Sequence, residues 1–244
     1  MLFWKKEAPP TVDLSWLGTD MHSHLLPGID DGAQDPDTSL ELVSGMMDLG
    51  FKQLVTTPHV LWEVYPNTRE RIEQKRDLLN AHLANNGKDI QVQAAAEYFI
   101  DEHFEGLLKT KAPLLTIKQN MVLVEFSMIT QPMDLKQILF EMQMGGYQPI
   151  IAHPERYIYL RDKKTFFDEL KEIGCFFQLN LLSLVGYYGT TQKELAEYLV
   201  KKKYYNFAGT DLHNKKHLAA LNLLVQSRAY NKLKEANLLK NYIL

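Results

Sequence analysis

Seven short apolar runs recur along the 244-residue chain, at roughly 17–22, 53–57, 91–97, 121–126, 149–152, 176–180 and 205–209. Several are rich in strand formers, as in Val122-Leu123-Val124 and Pro149-Ile150-Ile151. Between them lie segments of helical period at about 37–49, 68–86, 133–144, 162–173, 191–203 and 215–229. Parallel strands need long crossovers, and strands alternating with helices supply them, so the pattern predicts parallel βαβ units. Seven strands suit a closed or nearly closed barrel, with a doubly wound open sheet as the alternative. The pattern alone does not separate the two. A chain of about this length is often one barrel-sized unit. The segment 101–118 has the shortest helical pattern.

Helix ends are also written in the chain. Thr191 followed by Glu194 has the form of a capping box, with Leu195 and Leu199 continuing one face. Gly50, Gly87 and Gly174 stand where left-handed C-terminal caps are wanted. Leu218, Leu221 and Leu224 with Val225 form an apolar stripe, which is read as core.

Metal-ligand residue types fall at the ends of these runs. His22 and His24 follow the first run and His59 the second; Glu97 ends the third and Glu125 the fourth. His153 ends the fifth, and Asp211 and His213 follow the seventh. Six of seven runs therefore finish in histidine or carboxylate at one edge, where barrels and open α/β sheets build their sites. Taken singly, each residue has a bland reading. A lone glutamate at a strand end is usually a surface or capping group. Yet apolar residues lead directly into Glu97 and Glu125, and a carboxylate at a barrel mouth needs a partner. His82, His103 and His217 lie within helical segments or beside charge and are read as solvent-facing or locally bonded, with His217 in reserve.

With Asp31, the set holds five histidines and four carboxylates, enough for two or three ions. Imidazole mixed with carboxylate and no thiolate suits Mn, Fe or Zn better than Ca or Mg. Three divalent ions against four carboxylates leave about +2, a sink for a phosphate dianion. Arg156 can fork onto that phosphate, or be a structural arginine paired with Glu155 or Asp162.

Composition excludes several classes. A net charge of −3 offers no general attraction to nucleic acid. The single cysteine, Cys175, permits no internal disulfide, which fits a reducing cytoplasm. A cysteine phosphatase needs an arginine six residues after its thiolate; position 181 is Leu181, and Cys175 lies in an apolar run. The start MLFWKKEAPP lacks the apolar run of a signal peptide, and no stretch approaches the ~18 apolar residues of a membrane helix. The sequence thus reads as soluble and cytoplasmic, with no stable membrane insertion. A homo-oligomer is compatible with it but not demanded by it.

His22-Ser23-His24, Thr57-Pro58-His59, His153-Pro154-Glu155-Arg156 and Asp211-Leu212-His213 together resemble the four motifs of the PHP (polymerase and histidinol phosphatase) superfamily. The stretch HSHLLPGIDDGA, with TPH followed by Tyr65 and Asn67, is similar to the bacterial PHP tyrosine phosphatases of capsule and exopolysaccharide loci, the CpsB/YwqE type. The resemblance runs from about Thr19 to Leu224. It implies an α/β fold, a distorted seven-stranded (β/α)7 TIM-like barrel, as a single PHP phosphoesterase domain over 1–244 with residues 1–16 as an N-terminal extension. It implies three divalent ions, usually manganese, with Fe or Zn as alternatives. One ion would be held by His22, His24, Glu97 and Asp211. The second would share Glu97 and take Glu125 and His153, and the third would take Asp31, His59 and His213. Asp31 stands where other branches often carry histidine, which favours the tyrosine phosphatase branch. The family's second arginine, after the last motif, is missing from Asn214-Lys215-Lys216-His217; Lys216 would be a point-charge substitute.

The implied activity is hydrolysis of phosphotyrosine by a metal-activated hydroxide, with Arg156 on the phosphate and His213 or a metal-bound water as acid. Trp62 and Tyr65 are candidates for stacking on the substrate ring, although aromatic pairs in loops often only pack locally. The implied partner is a phosphotyrosine protein, a bacterial tyrosine kinase of capsule biosynthesis. A histidinol-phosphate or other small-molecule phosphatase, and a non-catalytic regulator that binds a kinase tail, are the rival readings. A polymerase-associated nuclease fits the acidity poorly.

Overall fold

The structure, a computed structural model, describes residues 11–244. Nine parallel strands and eight α-helices alternate among the described residues. The strands are β1 (Thr19–Asp20), β2 (Gln53–Thr56), β3 (His59–Val60), β4 (Val92–Ala94), β5 (Glu97–Phe99), β6 (Met121–Glu125), β7 (Gln148–Ala152), β8 (Phe176–Asn180) and β9 (Phe207–Gly209). The helices are α1 (Pro36–Asp48), α2 (Arg69–Asn85), α3 (Glu102–Lys109), α4 (Leu135–Met144), α5 (Thr165–Glu172), α6 (Thr190–Lys202), α7 (Lys215–Leu221) and α8 (Arg228–Ala236).

Two of the seven expected strands are interrupted: the one expected over 53–57 resumes beyond its expected end, and the one expected over 91–97 breaks inside it. β2 and β3 flank Thr57-Pro58, and β4 and β5 flank Ala95-Ala96. Proline has no N–H to give to the ladder, so the regular pairing stops there. Single bonds carry the sheet across the gap: Ala95 N to Thr56 O at 2.9 Å and Glu97 N to Pro58 O at 3.1 Å. The strands therefore form a three-stranded sheet, β1-β2-β4, and a six-stranded one, β3-β5-β6-β7-β8-β9. Rejoined across their breaks they make seven staves, which is the expected α/β barrel architecture.

Closure falls between the first and last staves. At the mouth, Asp211 N donates to His22 O (2.7 Å) and His24 N to Leu212 O (2.9 Å). At the other end a side chain replaces the ladder. Asn241 Nδ2 donates to Thr19 O (2.9 Å) and Ala208 O (2.7 Å), while its Oδ1 accepts from Ala208 N (3.0 Å).

The period-two alternation of strands sorts the core into two layers. Met121 and Leu123 of β6 and Ile150 and Ala152 of β7 join Met21, Val55 and Phe207 inside the barrel. Val122, Val124 and Ile151 face the helices. Glu125 is two residues beyond Leu123, so the same alternation turns it inward at the mouth.

Several sequence-based details differ. The Thr191/Glu194 capping box does not form; α6 starts at Thr190 after Gly189, with no side-chain cap. The helix expected over 215–229 ends at Leu221, and α8 follows, with Ser227 capping Tyr230 N. The weak segment 101–118 does contain a helix, α3, capped by Asp101. Gly50, Gly87 and Gly174 all adopt positive φ, as their cap positions require. The expected N-terminal extension lies outside the described residues over 1–10, while Val12 and Leu14 are buried in the outer core layer. No described helix is long and apolar enough to cross a membrane.

Candidate metal centre

All nine expected ligands converge on the mouth. The deepest group joins His22 and His24 to Glu97 and Asp211, all buried. His22 Nε2 lies 3.1 Å from Glu97 Oε2 and 3.3 Å from Asp211 Oδ1; His24 Nε2 lies 3.2 Å from Asp211 Oδ1. The opposite nitrogens are already committed. His22 Nδ1 is 3.0 Å from Gln178 Oε1 and His24 Nδ1 is 2.8 Å from Asp30 Oδ2, both oxygens that can only accept. Both rings therefore keep Nδ1 protonated and point Nε2 inward, the orientation of metal-bound histidines. The two Nε2 atoms are 3.4 Å apart, a separation that calls for a cation, metal ion or proton, between them.

A second group forms around Glu97 and Glu125. His59 Nδ1 is 3.2 Å from Glu97 Oε2 and 3.1 Å from Glu125 Oε1, yet it is buried without a hydrogen bond of proper geometry. His153 Nε2 is 3.0 Å from Glu97 Oε1 and 3.9 Å from Glu125 Oε2. The arrangement thus adds His59 to the carboxylate pair expected with His153. The outermost group is His24, Asp31, His59 and His213. Asp31 Oδ1 is 3.5 Å from His59 Nε2 and 3.4 Å from His213 Nε2.

Burial and charge pull against each other here. Burial disfavours charge on His22, but Glu97 and Asp211 push it up to about 9. His59 is likewise pushed up to about 10 by Glu97 and Glu125 against its own burial. Burial also opposes ionisation of Glu97 and Asp211, yet His22 and its neighbours hold both well below the usual carboxylate range. Such a site demands positive charge at its centre. Its mixed imidazole and carboxylate donors, the orphaned His59 Nδ1 and the facing Nε2 pair all fit divalent transition-metal ions.

The backbone is bent to deliver these groups. His153 and Asp211 adopt left-handed conformations, with φ of 32° and 50°. Side chains rarely accept this, and it is tolerated where function over-determines the geometry. Gly32 is needed for a different reason: a Cβ there would lie 2.2 Å from His24 O. The turn it makes brings Asp30 beneath His24, and Gly32 N donates to Asp30 Oδ1 (3.0 Å).

The polar surroundings depart from expectation at several residues. Arg156 pairs with neither Glu155 nor Asp162; its Nη1 donates to Asp211 Oδ2 at 2.9 Å, and its Cζ lies 4.4 Å from the Tyr188 ring centroid. Glu155 is buried and accepts from Asn180 N, Ser183 Oγ and Tyr205 OH. Lys216 is exposed and does not line the mouth, a cavity of about 390 Å³. Asn214, as N-cap of α7, turns that helix so that His217 lines the mouth instead, with Nδ1 3.2 Å from Asp211 O. Tyr65 stacks on His59 (5.7 Å between ring centroids) and Trp62 on His103 (3.8 Å); neither lines the mouth cavity itself. Cys175 is buried, and that burial pushes its thiol up to about 12, so it is an inert core residue. Sequence reasoning missed Gln178, Asp30, Asn180 and Tyr188. Only Asp30 carried a local signal, its place in the Asp30-Asp31-Gly32 turn.

The sequence profile of the family described as capsular polysaccharide synthesis, CpsB/CapC, matches residues 18–235. The tyrosine-protein phosphatase YwqE of Bacillus subtilis is 31% identical over 197 residues, covering 81% of this chain and 78% of that protein. The putative tyrosine-protein phosphatase CapC of Staphylococcus aureus is 28% identical, covering 80% of this chain and 76% of that protein. Among solved structures, one from the work on YwqE from Bacillus subtilis and CpsB from Streptococcus pneumoniae, described as unique metal-dependent tyrosine phosphatases, superposes with a TM-score of 0.77. It is 29% identical and covers 90% of this chain and 92% of its own. An amidohydrolase from Mycoplasma synoviae, at 17% identity and a TM-score of 0.53, shares the fold.

Proposed function

Because the chain belongs to the CpsB/CapC family of capsular polysaccharide synthesis, we propose that it is a metal-dependent protein tyrosine phosphatase. One observation carries the reading: the His22 and His24 Nε2 atoms face each other at 3.4 Å, flanked by Glu97 and Asp211, with both Nδ1 atoms already committed. We assign the first ion to His22, His24, Glu97 and Asp211. Glu97, Glu125 and His153, with His59 beside them, take the second; Asp31, His59 and His213 take the third. Manganese is the ion we favour. Bound divalent ions supply Lewis-acid activation of water and neutralise phosphate charge.

The chain's own groups do the rest. Gln178 and Asp30 hold the two deep imidazoles in one tautomer and one orientation. Asp211 and the Tyr188 ring immobilise Arg156, whose remaining guanidinium N–H groups are free to grip non-bridging phosphate oxygens. Met128 and Tyr188 line the mouth beside that arginine and offer apolar walls to a tyrosyl ring. A phenolate is already a fair leaving group, so His213 or His217 has little protonation work to do.

We assign the substrate as a phosphotyrosine protein, a bacterial tyrosine kinase of capsule assembly, and the compartment as the cytoplasm, in keeping with the lone buried thiol. The complete donor set speaks against a non-catalytic regulator. The test is to strip the protein with chelator, restore Mn²⁺, and compare a phosphotyrosine peptide, histidinol phosphate and single-stranded DNA. Turnover should be confined to the phosphotyrosine peptide. Brisk turnover of histidinol phosphate without phosphotyrosine activity would overturn the assignment.

A further inference from the structure

The chain's modest charge conceals a strong asymmetry. Residues 193–244 carry ten lysines and arginines against four carboxylates, although the whole chain is net −3. In the fold this excess gathers on α6 and α8. Lys201 lies in the last turn of α6 and Lys203 is its C-cap; Arg228 opens α8 and Lys232 follows one turn later. The two helices flank a groove of about 550 Å³. All four cations line it and are exposed, and none forms an ion pair among the described residues. Glu197 is the one carboxylate on its wall. Its floor is apolar, made by Val200, Ala229, Leu233 and Leu238.

Local stability accounts for only part of this. Lysines at the end of α6 complement the helix dipole, and Lys202 rests near the Tyr198 and Tyr204 rings. Arg228 has no such reason. It occupies the first position of α8, where the dipole favours anions, and it faces like charges across the groove. Unpaired like charges ringing an apolar floor oppose folding, so their gain lies in what they bind.

We propose that the α6–α8 groove docks an acidic, amphipathic segment of a partner protein. Its carboxylates meet the four rim cations and its apolar side chains reach the floor. A lipid bilayer fits less well, because it is flat and the apolar groups are recessed behind a cationic rim. Nucleic acid would leave the floor unused. The C-terminal turn of α6 leads into β9 from the end of the barrel opposite the mouth, so an occupant leaves the metal centre open. The docking itself stands apart from the catalytic assignment; only the role of recruiting a phosphoprotein substrate rests on that reading.

The probe is a fluorescein-labelled peptide of about 18 residues, five helical turns, with glutamate on one face and leucine on the other. Binding to the full chain is followed by anisotropy at low salt and at about 0.3 M salt. The wild type should bind, and salt should weaken it at least about tenfold. The K201E/K203E/R228E/K232E variant should bind at least about tenfold more weakly. L238D, a milder change at a part-exposed floor position, should also weaken binding, and H153A should leave it unchanged. Turnover of p-nitrophenyl phosphate should be equal in wild type and the charge-reversal variant. That assay judges the catalytic reading by itself. Equal peptide affinity in wild type and charge-reversal variant overturns the proposal. So does failure of the wild type to bind the peptide; salt-sensitive sedimentation on phosphatidylglycerol vesicles would then make the face a membrane contact.

Discussion

Gln178→Met probes the metal centre without touching a ligand. Gln178 is fully buried, and its Oε1 accepts from both His22 Nδ1 (3.0 Å) and His153 N (3.2 Å). Methionine keeps the length of the side chain and removes that oxygen, together with Nε2, which donates to Leu179 O (2.7 Å). Two buried N–H groups then lose their partner, at about 1–3 kcal/mol each, partly offset because methionine itself is cheaper to bury. A net loss of about 2–4 kcal/mol is expected, which in a chain of this size lowers Tm by about 4–16 °C. The metal effect is separate. Without an acceptor at Nδ1, the His22 proton is free to move to Nε2, the nitrogen that faces Glu97 and Asp211. Losing an outer partner of this kind typically weakens metal affinity by about 10–100-fold.

The assay is metal content by mass spectrometry together with activity titrated against Mn²⁺. Half-saturation should move up by that factor, while kcat at saturating metal stays within a few-fold. Gln178→Glu keeps the acceptor but sets its other carboxylate oxygen against Leu179 O, so it should recover the affinity only in part. If Gln178→Met leaves half-saturation within about twofold of wild type, Gln178 does not orient His22 and the tautomer argument fails.

Three further outcomes are expected. Tyr188→Ala should raise KM for a phosphotyrosine peptide by about 2–30-fold, the range of a partly desolvated cation–π contact, with less change in kcat. Tyr188→Phe should stay close to wild type; if it behaves like alanine, the hydroxyl bonded to Asn180 Nδ2, not the ring, holds the site. Asn241→Leu should cost about 3 kcal/mol, since three hydrogen bonds across the barrel seam are lost, and lower Tm by about 6–12 °C in thermal melts. An unchanged melt would mean that the β9–β1 seam does not depend on this side chain. Burial lowers the Lys171 ammonium to about 8, from an ordinary 10.5. The unfolded chain therefore holds a proton that the folded one has released as pH climbs between those values, so Lys171 contributes stability that grows across that window, while His22, His59 and Cys175, all raised by folding, act in the opposite sense. The difference in urea midpoint between wild type and Lys171→Met should therefore shift in favour of wild type as pH rises from about 8 to 10.5.

The readability of this chain divides along physical lines. Alternating apolar runs depend on local period, so β6, β7 and β8 fall within a residue or so of their expected places. Eight of the nine ligand positions were legible because each stands at the end of an apolar run, and parallel strands share one exit edge; Asp31, in the turn after His24, was legible only through the family resemblance. The breaks at Pro58 and Ala95-Ala96 were not, since the chain keeps its direction through them. The apparent capping box at Thr191 failed because α6 begins one residue earlier, at Thr190, which takes the threonine into the helix. Gln178, Asn180 and Tyr188 carry no motif. Each acquires its role from residues far away in sequence, as when Gln178 meets His22 across 156 positions.

The same two residues that present donors also close the barrel. Asp211 N donates to His22 O at 2.7 Å, while the two side chains meet at the deepest group. Seam and site are therefore one piece of backbone, held in a left-handed turn at Asp211. A ligand that binds only the folded chain adds stability in proportion to the logarithm of its excess over Kd. Here it would also act on the seam itself, because drawing the His22 and Asp211 side chains together tightens the bond between their backbones. The opposite end of the seam is carried by Asn241, with Asp20 accepting from Thr210 N (2.8 Å) above it, and has no such link to the ligands. Loss of the centre should thus loosen the mouth end of the seam, leaving the floor bonds protected in hydrogen exchange.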